Sequence, residues 1–301
     1  MVAILEGSLL ASCCCAAETL RASESTPSYS IAGSVWRSQG SLEFELGNDE
    51  FGTWSKVEWP LNGLLGGIEG DVVWPFDAGR ALVVSIRYGH SFSMDGTSQD
   101  WDWRPWERPD VSDYSETDSS GDLQTIDVRV GFRFPIGRTV DLQLLTGYSR
   151  SSIDFEDQNL TGSYDYGQTP ISYQGPVDTY SAAFSGLCLG GEVVARAGDK
   201  LTLSARVETI LNLSVSADGD WIRRGNHFEQ EANGTGLTVS GRMGYEIRPH
   251  VAVAAEAGWI SQTARNGGQH GTQDGLSYDA DIVREISLQY ITAGIGVVVE
   301  F

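Results

Sequence analysis

Two short segments carry the side chains with the clearest chemical potential. The first, TSQDWDWRPW at 97–106, places Asp100 and Asp102 among three tryptophans, and the second, ADGDWIRRGNHF at 217–228, places Asp218 and Asp220 before His227. Carboxylates and an imidazole are groups that activate water for hydrolysis. For the first segment three interpretations compete: a catalytic carboxylate site, an aromatic patch that contacts sugar or lipid, and a solvated loop with tryptophans at a membrane interface. The choice depends on where the rest of the chain places these segments.

The composition limits the classes of partner and of fold. The 301 residues carry a formal net charge of −21, which argues against nucleic acid and anionic lipid headgroups as electrostatic partners because both are negatively charged. The chain contains 36 glycines, 9 tryptophans and 11 tyrosines, a mixture typical of β-structure. No run of about 18 apolar residues follows the N-terminal region, so the sequence predicts no transmembrane helix.

The pattern of residues 1–22 predicts a secretion signal whose beginning is truncated or whose start codon is wrongly assigned. They are apolar and rich in small residues but lack a basic start and contain Glu6. A cleavage site is predicted near Cys15-Ala16-Ala17, and Leu10–Cys13 offers an alternative as a lipoprotein cleavage box. Three of the four cysteines lie in this segment, so Cys188 is left alone and no disulfide framework is predicted.

Hydrophobicity alternates with a period of two through most of residues 28–301. In Gln124–Phe134, for example, every second residue from Ile126 is apolar, and the chain ends on a similar face at Phe301. Four tight turns alternate with five long polar segments, which we expect to be loops. The turns lie near 75–79, 135–138, 196–200 and 247–250, and the polar segments near 38–54, 96–121, 154–177, 217–235 and 264–283.

This layout predicts an all-β fold: a transmembrane ten-stranded antiparallel up-and-down β-barrel over 28–301, in a bacterial outer membrane, with long extracellular loops and both termini periplasmic. The set of side chains predicted to face the lumen contains charges of both signs, which favours a lumen plugged by ion pairs over a small channel. The set comprises Arg87, Asp127, Arg129, Arg133, Arg206, Glu208 and Glu256.

Several motifs resemble the omptins, outer-membrane endopeptidases of Gram-negative bacteria. They are Ser55-Lys56-Val57-Glu58-Trp59 at the start of the second strand, Leu145-Thr146-Gly147-Tyr148 in the fifth, and the terminal QYITAGIGVVVEF. The resemblance covers most of residues 28–301, mainly in layout, and indicates a diverged member.

The resemblance implies a site in two halves across a cleft. Omptins carry Asp-x-Asp-Trp on one side, which Asp100-Trp101-Asp102-Trp103 matches in one register, while in the other register Ser98 replaces the leading acid of the motif. On the other side omptins carry Asp-x-His. Here Asp218 or Asp220 matches the acid, the histidine position reads Ile222 or Asp220, and His227 is the substitute base.

The resemblance also implies a lipid partner and no cofactor. Omptins bind lipopolysaccharide through basic and aromatic residues of the outer wall, where this chain has Tyr148 and Arg150 but Ser152 and Val177 or Asp178 at the other expected positions. The predicted partners are therefore outer-membrane lipid or lipopolysaccharide and basic peptide or protein substrates, with a monomeric barrel. No metal is predicted.

Two functions follow from the sequence. The first is an aspartic-type endopeptidase whose site is diverged or inactive, with Asp100 and Asp102 polarising water opposite Asp218, Asp220 and His227. The second is a non-enzymatic surface barrel for adhesion or recognition. Convergence of 100–102 with 218–227 around one water-sized gap would support the first function, and separated loops would support the second.

Overall fold

The structure is a computed structural model that describes residues 26–77, 79–104, 107, 110–273 and 275–301. The predicted signal segment 1–22 lies outside these residues, as does Trp106. Within the described part the chain is all-β, and it contains no helix long and apolar enough to cross a membrane. Its strands are β1 (Ser28–Asn48), β2 (Gly52–Pro60), β3 (Gly63–Asp77), β4 (Arg80–Trp103), β5 (Val111–Pro135), β6 (Val140–Tyr164), β7 (Thr169–Ser172), β8 (Pro176–Ala197), β9 (Leu201–Trp221), β10 (Asn226–Arg248), β11 (Val251–Gln273) and β12 (Leu276–Glu300).

These strands form one closed antiparallel ring with ten positions. β2 and β3 occupy a single position, because both pair with β1 on one side and with β4 on the other. β7 pairs only with β6, and the ring closes where β1 pairs with β12 from Ser30↔Glu300 to Leu46↔Val283. The predicted ten-stranded barrel is confirmed. Closure leaves no free edge among the ten ring positions, as lipid requires because it offers backbone N–H and C=O groups no partners.

The strands are about twice as long as a membrane crossing requires. A tilted strand crosses a bilayer in about 9–11 residues, whereas β5, β6 and β12 each have 25. Exposed apolar side chains form an outward belt on the half nearer the short turns, for example from Leu203 to Leu211 in β9 and from Ile291 to Val297 in β12. The other half of the barrel therefore projects beyond the belt; we call it the extension.

The prediction of five long polar loops is wrong. Those segments continue the ladder as β-hairpins, and β1 and β2, for instance, are joined only by residues 49–51. In that turn the Asn48 side chain accepts hydrogen bonds from the backbone N–H groups of Glu50 and Phe51 at 3.1 and 2.8 Å. The segments are polar because both the outward face and part of the inward face of the extension meet water.

Two layers of side chains lie across the lumen, and a cavity of about 140 Å³ remains among the charged side chains of the lower layer. On the short-turn side, Arg129 on β5 pairs across the lumen with Glu208 on β9 at 2.6 Å, and Arg206 pairs with Glu192 on the neighbouring strand β8 at 2.9 Å. This confirms the predicted paired network. Above it lies an aromatic layer in which the Trp59 ring stacks on Tyr180 with centroids 4.4 Å apart. Other members of the layer are Phe44, Phe155, Phe184 and Phe228, all buried.

A β-bulge in β4 decides which way its upper half faces. Opposite β3, Leu65 pairs with Ser91 and Leu64 with Ser93, so Phe92 is an extra residue. Because side chains alternate with period two, one extra residue exchanges the two faces. Buried positions are odd-numbered below the bulge, as at Val83, and even-numbered above it, as at Ser98.

A second bulge, in β9, exchanges the inward and outward faces of that strand. Ile210 and Leu213 are both buried, although three residues separate them, and both registers of β9 shift at this point. The extra residue is accommodated at Asn212, whose φ is +50°, the left-handed region that asparagine tolerates better than most residues. Above it the odd-numbered residues face inward and the even-numbered ones outward.

The backbone at Asn212 generates a stability prediction. Asn212→Val should destabilise the folded barrel by about 1–3 kcal/mol, because a β-branched residue is strained at this φ, whereas Asn212→Gly should be nearly neutral. Denaturant unfolding followed by tryptophan fluorescence measures the difference. Ser214→Val, at an exposed position of the same strand, is the control, and an equal loss in both valine variants would contradict the assignment.

Candidate functional site

Asp100 faces a cavity of about 90 Å³ in the extension, just above the aromatic layer. The even-numbered face of β4 above the Phe92 bulge carries Asp100 inward, and it pairs with Val57 on β2 and Ser115 on β5. We call this space the acidic cavity. It is lined by Val57, Ser98, Asp100, Ser115, Thr117, Asp157, Leu160, Tyr164, Val177, Asp178, Trp221, Arg223 and Arg224.

Trp101 and Trp103 of the first segment do not line this cavity. Trp101 lies on the opposite face of β4, with the Lys56 ammonium 5.7 Å from its ring centroid and the Tyr114 ring 5.8 Å away. Trp103 is half-buried and is not part of the lining. Trp101 therefore packs on the outer wall, while Asp100 and Ser98 of the same segment point into the cavity.

Asp157 and Asp178 complete the acid side of the cavity, and the sequence analysis missed both. Asp157 is 2% exposed, and its Oδ2 accepts hydrogen bonds from Trp59 Nε1 at 2.9 Å and Ser98 Oγ at 2.7 Å. Asp178 pairs directly with it across β6 and β8, and the two carboxyls are hydrogen-bonded. The available signal was the alternation Ile153, Phe155, Asp157, in which an acid continues an apolar inward face.

Burial holds two of these acids in the protonated form near neutral pH. Burial, followed by the neighbouring Asp157 carboxyl, raises the pKa of Asp178 to about 9. Burial and then the charge of Asp102 raise the pKa of Asp100 to about 8, against the opposing influence of the Arg224 guanidinium. The pKa of Asp102 is also raised by burial, although Arg224 and a hydrogen bond with Ser55 act in the other direction.

Two arginines from the β9–β10 turn form the mouth of the cavity. Both line it and both are exposed on their other side. Arg224 lies over the Trp221 ring, 5.6 Å from its centroid, and Arg223 lies over Tyr173 at 4.9 Å. The cavity therefore has carboxyl groups on its floor and guanidinium groups at its entrance.

The second predicted half-site is not in the cavity. Asp218, Asp220 and His227 lie on the outer face of the extension, where the His227 Nδ1 is 2.9 Å from Asp220 Oδ1 and both side chains are about half exposed. The inward positions of this strand are Ala217, Gly219 and Trp221. A Cβ at Gly219 would collide with the Phe228 ring.

Convergence around one gap, the arrangement that would support a catalytic site, is therefore not seen between Asp100 and the side chains of Asp218, Asp220 and His227. The Asn212 bulge is the physical reason, because unbroken alternation from Ile210 would have directed Asp218 and Asp220 inward.

The chemistry of the acidic cavity is proton sharing and hydrogen-bond acceptance. Its volume accommodates a few water molecules, whereas sites for drug-sized ligands measure about 300–1,000 Å³. Among the residues that the structure describes, no three His, Cys, Asp or Glu side chains are arranged to hold a metal ion.

The fold defines the protein as an outer-membrane β-barrel. A family model described as "Pom: Protochlamydia outer membrane protein" matches residues 80–276, about two thirds of the sequence. The chain belongs to this family. A search of curated proteins finds no match.

Solved structures extend the comparison of the fold. The outer membrane protease OmpT of Escherichia coli is 16% identical, with a TM-score of 0.80 over 94% of this chain and 99% of that one. Ail, the attachment invasion locus protein of Yersinia pestis, is 12% identical over 91% and 98%, with a TM-score of 0.30. At such identities the OmpT match shows a shared fold, and omptin membership does not follow from it.

The buried acids generate a prediction about stability and pH. Asp178 and Asp100 keep their protons in the folded state up to about pH 9 and 8, whereas the unfolded chain releases them near the ordinary value of 3.8. The folded state thus binds more protons between these values, so stability should fall as pH rises, by about 1.4 kcal/mol per pH unit for each such group. Asp178→Asn should reduce the slope of unfolding free energy against pH by about 1.4 kcal/mol per pH unit, the contribution of one group, between about pH 5 and 8.

Denaturant unfolding at several pH values measures this slope. Asp95→Asn, an exposed acid on the outer face of the same strand as Asp100, is the matched control and should leave the slope unchanged. An identical slope in wild type and Asp178→Asn would show that Asp178 is ionised in the folded protein.

Proposed function

We propose that this protein is a closed outer-membrane barrel whose extension is a non-enzymatic recognition surface for cationic partners. In this proposal the extension is extracellular, both termini are periplasmic and the barrel is a monomer. The layers that cross the lumen support a role at the surface over one in transport, because an ion pair and the stacked aromatic rings obstruct a continuous channel.

The observation that carries the proposal is the segregation of charge. The segments that build the extension (43–58, 95–122, 154–178, 218–231 and 265–285) contain 27 acidic and 7 basic residues, so they hold −20 of the chain's net −21. A strongly negative surface raises the local concentration of cationic partners and accelerates their association.

The outward carboxylates also face one another across strands. Asp122 pairs directly with Asp154, and Asp218 pairs directly with Glu229, all on the outer face. Like charges directly opposite in an antiparallel pair destabilise it. A cationic partner would relieve this repulsion, which supports a bound state with the charges neutralised.

A salt-dependence experiment tests the proposal. Refolded protein should bind oligolysine, and the affinity should fall steeply when salt is raised from about 0.05 to 0.5 M, because exposed charges are screened. The variant Asp218→Asn/Glu229→Gln should weaken binding about 3- to 10-fold and reduce the salt dependence.

Asp199→Asn/Glu300→Gln removes the same two charges at the short-turn end and serves as the matched control. Oligoglutamate is the control for ligand charge. Equal binding by both double variants, or binding that salt does not change, would refute recognition by the extension.

The second candidate function is the aspartic-type endopeptidase. It is supported by the hydrogen-bonded pair of Asp157 and Asp178, since two carboxyls sharing one proton can activate water without a histidine. Asp100 is then a third acid of that site, and Asp218, Asp220 and His227 lie outside it. The volume of the acidic cavity counts against this function, because a peptide backbone needs an open cleft.

Cleavage of a fluorogenic peptide library tests the second candidate. If it holds, Asp157→Asn and Asp178→Asn abolish turnover while Asp95→Asn leaves it intact. The recognition proposal expects no turnover above background in folded protein, with or without lipopolysaccharide. Turnover that depends on Asp157 would make the barrel an enzyme.

Lipopolysaccharide remains a proposed lipid partner. Tyr148 and Arg150 are both exposed on the outer wall near the upper edge of the apolar belt. A guanidinium and a tyrosine hydroxyl at that height suit the phosphates and sugars of such a lipid.

A further inference from the structure

We propose that the acidic cavity binds the primary ammonium group of a small amine, R–NH₃⁺. This site differs from the outward carboxylates of the extension, because its acids face inward and are shielded from salt. The inference is therefore independent of recognition at the outer face, and either proposal can fail without the other.

Three acceptor atoms in the cavity lack donors. Oδ1 of Asp100, of Asp157 and of Asp178 is buried, and apart from the proton shared between the Asp157 and Asp178 carboxyls no hydrogen-bond donor of the described residues meets these atoms. All three side chains line the same cavity. Buried acceptors without partners cost free energy, so such a group indicates a proton, water or a ligand that supplies donors.

Asp157 is held in place for this role. Trp59 Nε1 and Ser98 Oγ both bind its Oδ2, which fixes the carboxylate and leaves Oδ1 directed into the cavity. Trp59 is itself fully buried and stacked between Tyr180 and Phe155. The acceptor is thus positioned by a rigid support, as preorganised binding sites require.

An ammonium group matches these acceptors better than a metal ion. It carries three N–H donors on one nitrogen, the number of unpaired carboxylate oxygens, and it binds oxygen at about 2.7–2.9 Å. Calcium requires six to eight oxygens at about 2.3–2.6 Å. The described side chains are not arranged for a metal.

The size and lining of the cavity fit the rest of a small amine. Its volume of about 90 Å³ takes an ammonium group and a short alkyl stem. The apolar part of the lining, Val57, Leu160, Val177 and Trp221, offers the stem a surface out of water. The stem leads towards the mouth between Arg223 and Arg224.

Arg224 is the competing cation of the protein itself. Its guanidinium interacts with Asp100 and Asp102 and is hydrogen-bonded to Tyr164. It therefore compensates one side of the acid cluster and repels a second cation there. Removing its charge should raise the affinity of the cavity for an ammonium ligand, whereas removing an arginine with only a structural role would not.

Binding should also be linked to pH. The protons that burial keeps on Asp100 and Asp178 must leave when an ammonium enters, so affinity should rise from about pH 6 to 9. The charged and titratable groups that face these acids are Asp102 on β4, Arg104 after it, Asp113 on β5, Asp157 and Tyr164 on β6, and Arg223 and Arg224 from the β9–β10 turn.

The experiment is titration of refolded full-length protein with methylammonium in about 0.3 M NaCl, where surface charges are screened. Ligand-detected NMR gives the affinity. We expect saturable binding, weakened about 10- to 100-fold in Asp157→Asn and Asp178→Asn, unchanged in Asp95→Asn and tightened in Arg224→Gln. Heat-modifiable migration on gels verifies that each variant is folded.

Tetramethylammonium, with the same charge and no N–H donor, should not compete. Competition by tetramethylammonium, tighter binding of Ca²⁺ than of methylammonium, or equal affinities in wild type and Asp178→Asn would each overturn the proposal. Absence of saturable binding in folded wild-type protein at about pH 9.5, above the pKa of about 8 for Asp100 and of about 9 for Asp178, would overturn it as well.

Discussion

The hydrogen-bonded ladder between the first strand and the last is the interaction on which the rest of the structure depends. Lipid offers no partner for a free N–H or C=O group, so a sheet can cross the membrane only when its edges pair with each other. β1 and β12 meet this requirement along almost their whole length. Once the ring is closed, every side chain must point either to the lumen or outward, and each residue's function follows from that choice.

This explains which parts could be predicted from sequence. Strand number follows from alternation and turn chemistry, both of which are local, so the ten positions and the paired lumen charges were accessible. The ends of the strands were not. Polarity distinguishes residues in water from residues in lipid, and a strand in water has the same polar composition as a loop. The sequence therefore predicts loops where the structure has hairpins, such as those next to Asn48 and Trp221. The pairing that makes them strands is non-local.

The site was harder to predict because single residues decide it. Phe92 in β4 and Asn212 in β9 each add one residue to a strand, and each exchange of faces moves a whole row of side chains. Thus Asp100 faces inward as the sequence motif implies, while Asp218 and Asp220 face outward. No composition or spacing marks Phe92 as an extra residue. Asn212 offers a weak signal, because asparagine tolerates the left-handed backbone that a bulge can need.

The buried acids remain the feature that architecture alone does not require. Asparagine has nearly the same shape as aspartate and could accept the hydrogen bonds from Trp59 and Ser98 without the cost of burying an ionisable group. A barrel that only had to hold its hairpins together would be more stable with amides at positions 157 and 178. The carboxyl at position 178 allows a second state, in which its proton leaves and the negative charge faces the cavity. The stability lost by burying them is therefore best explained by a positive group that the cavity receives.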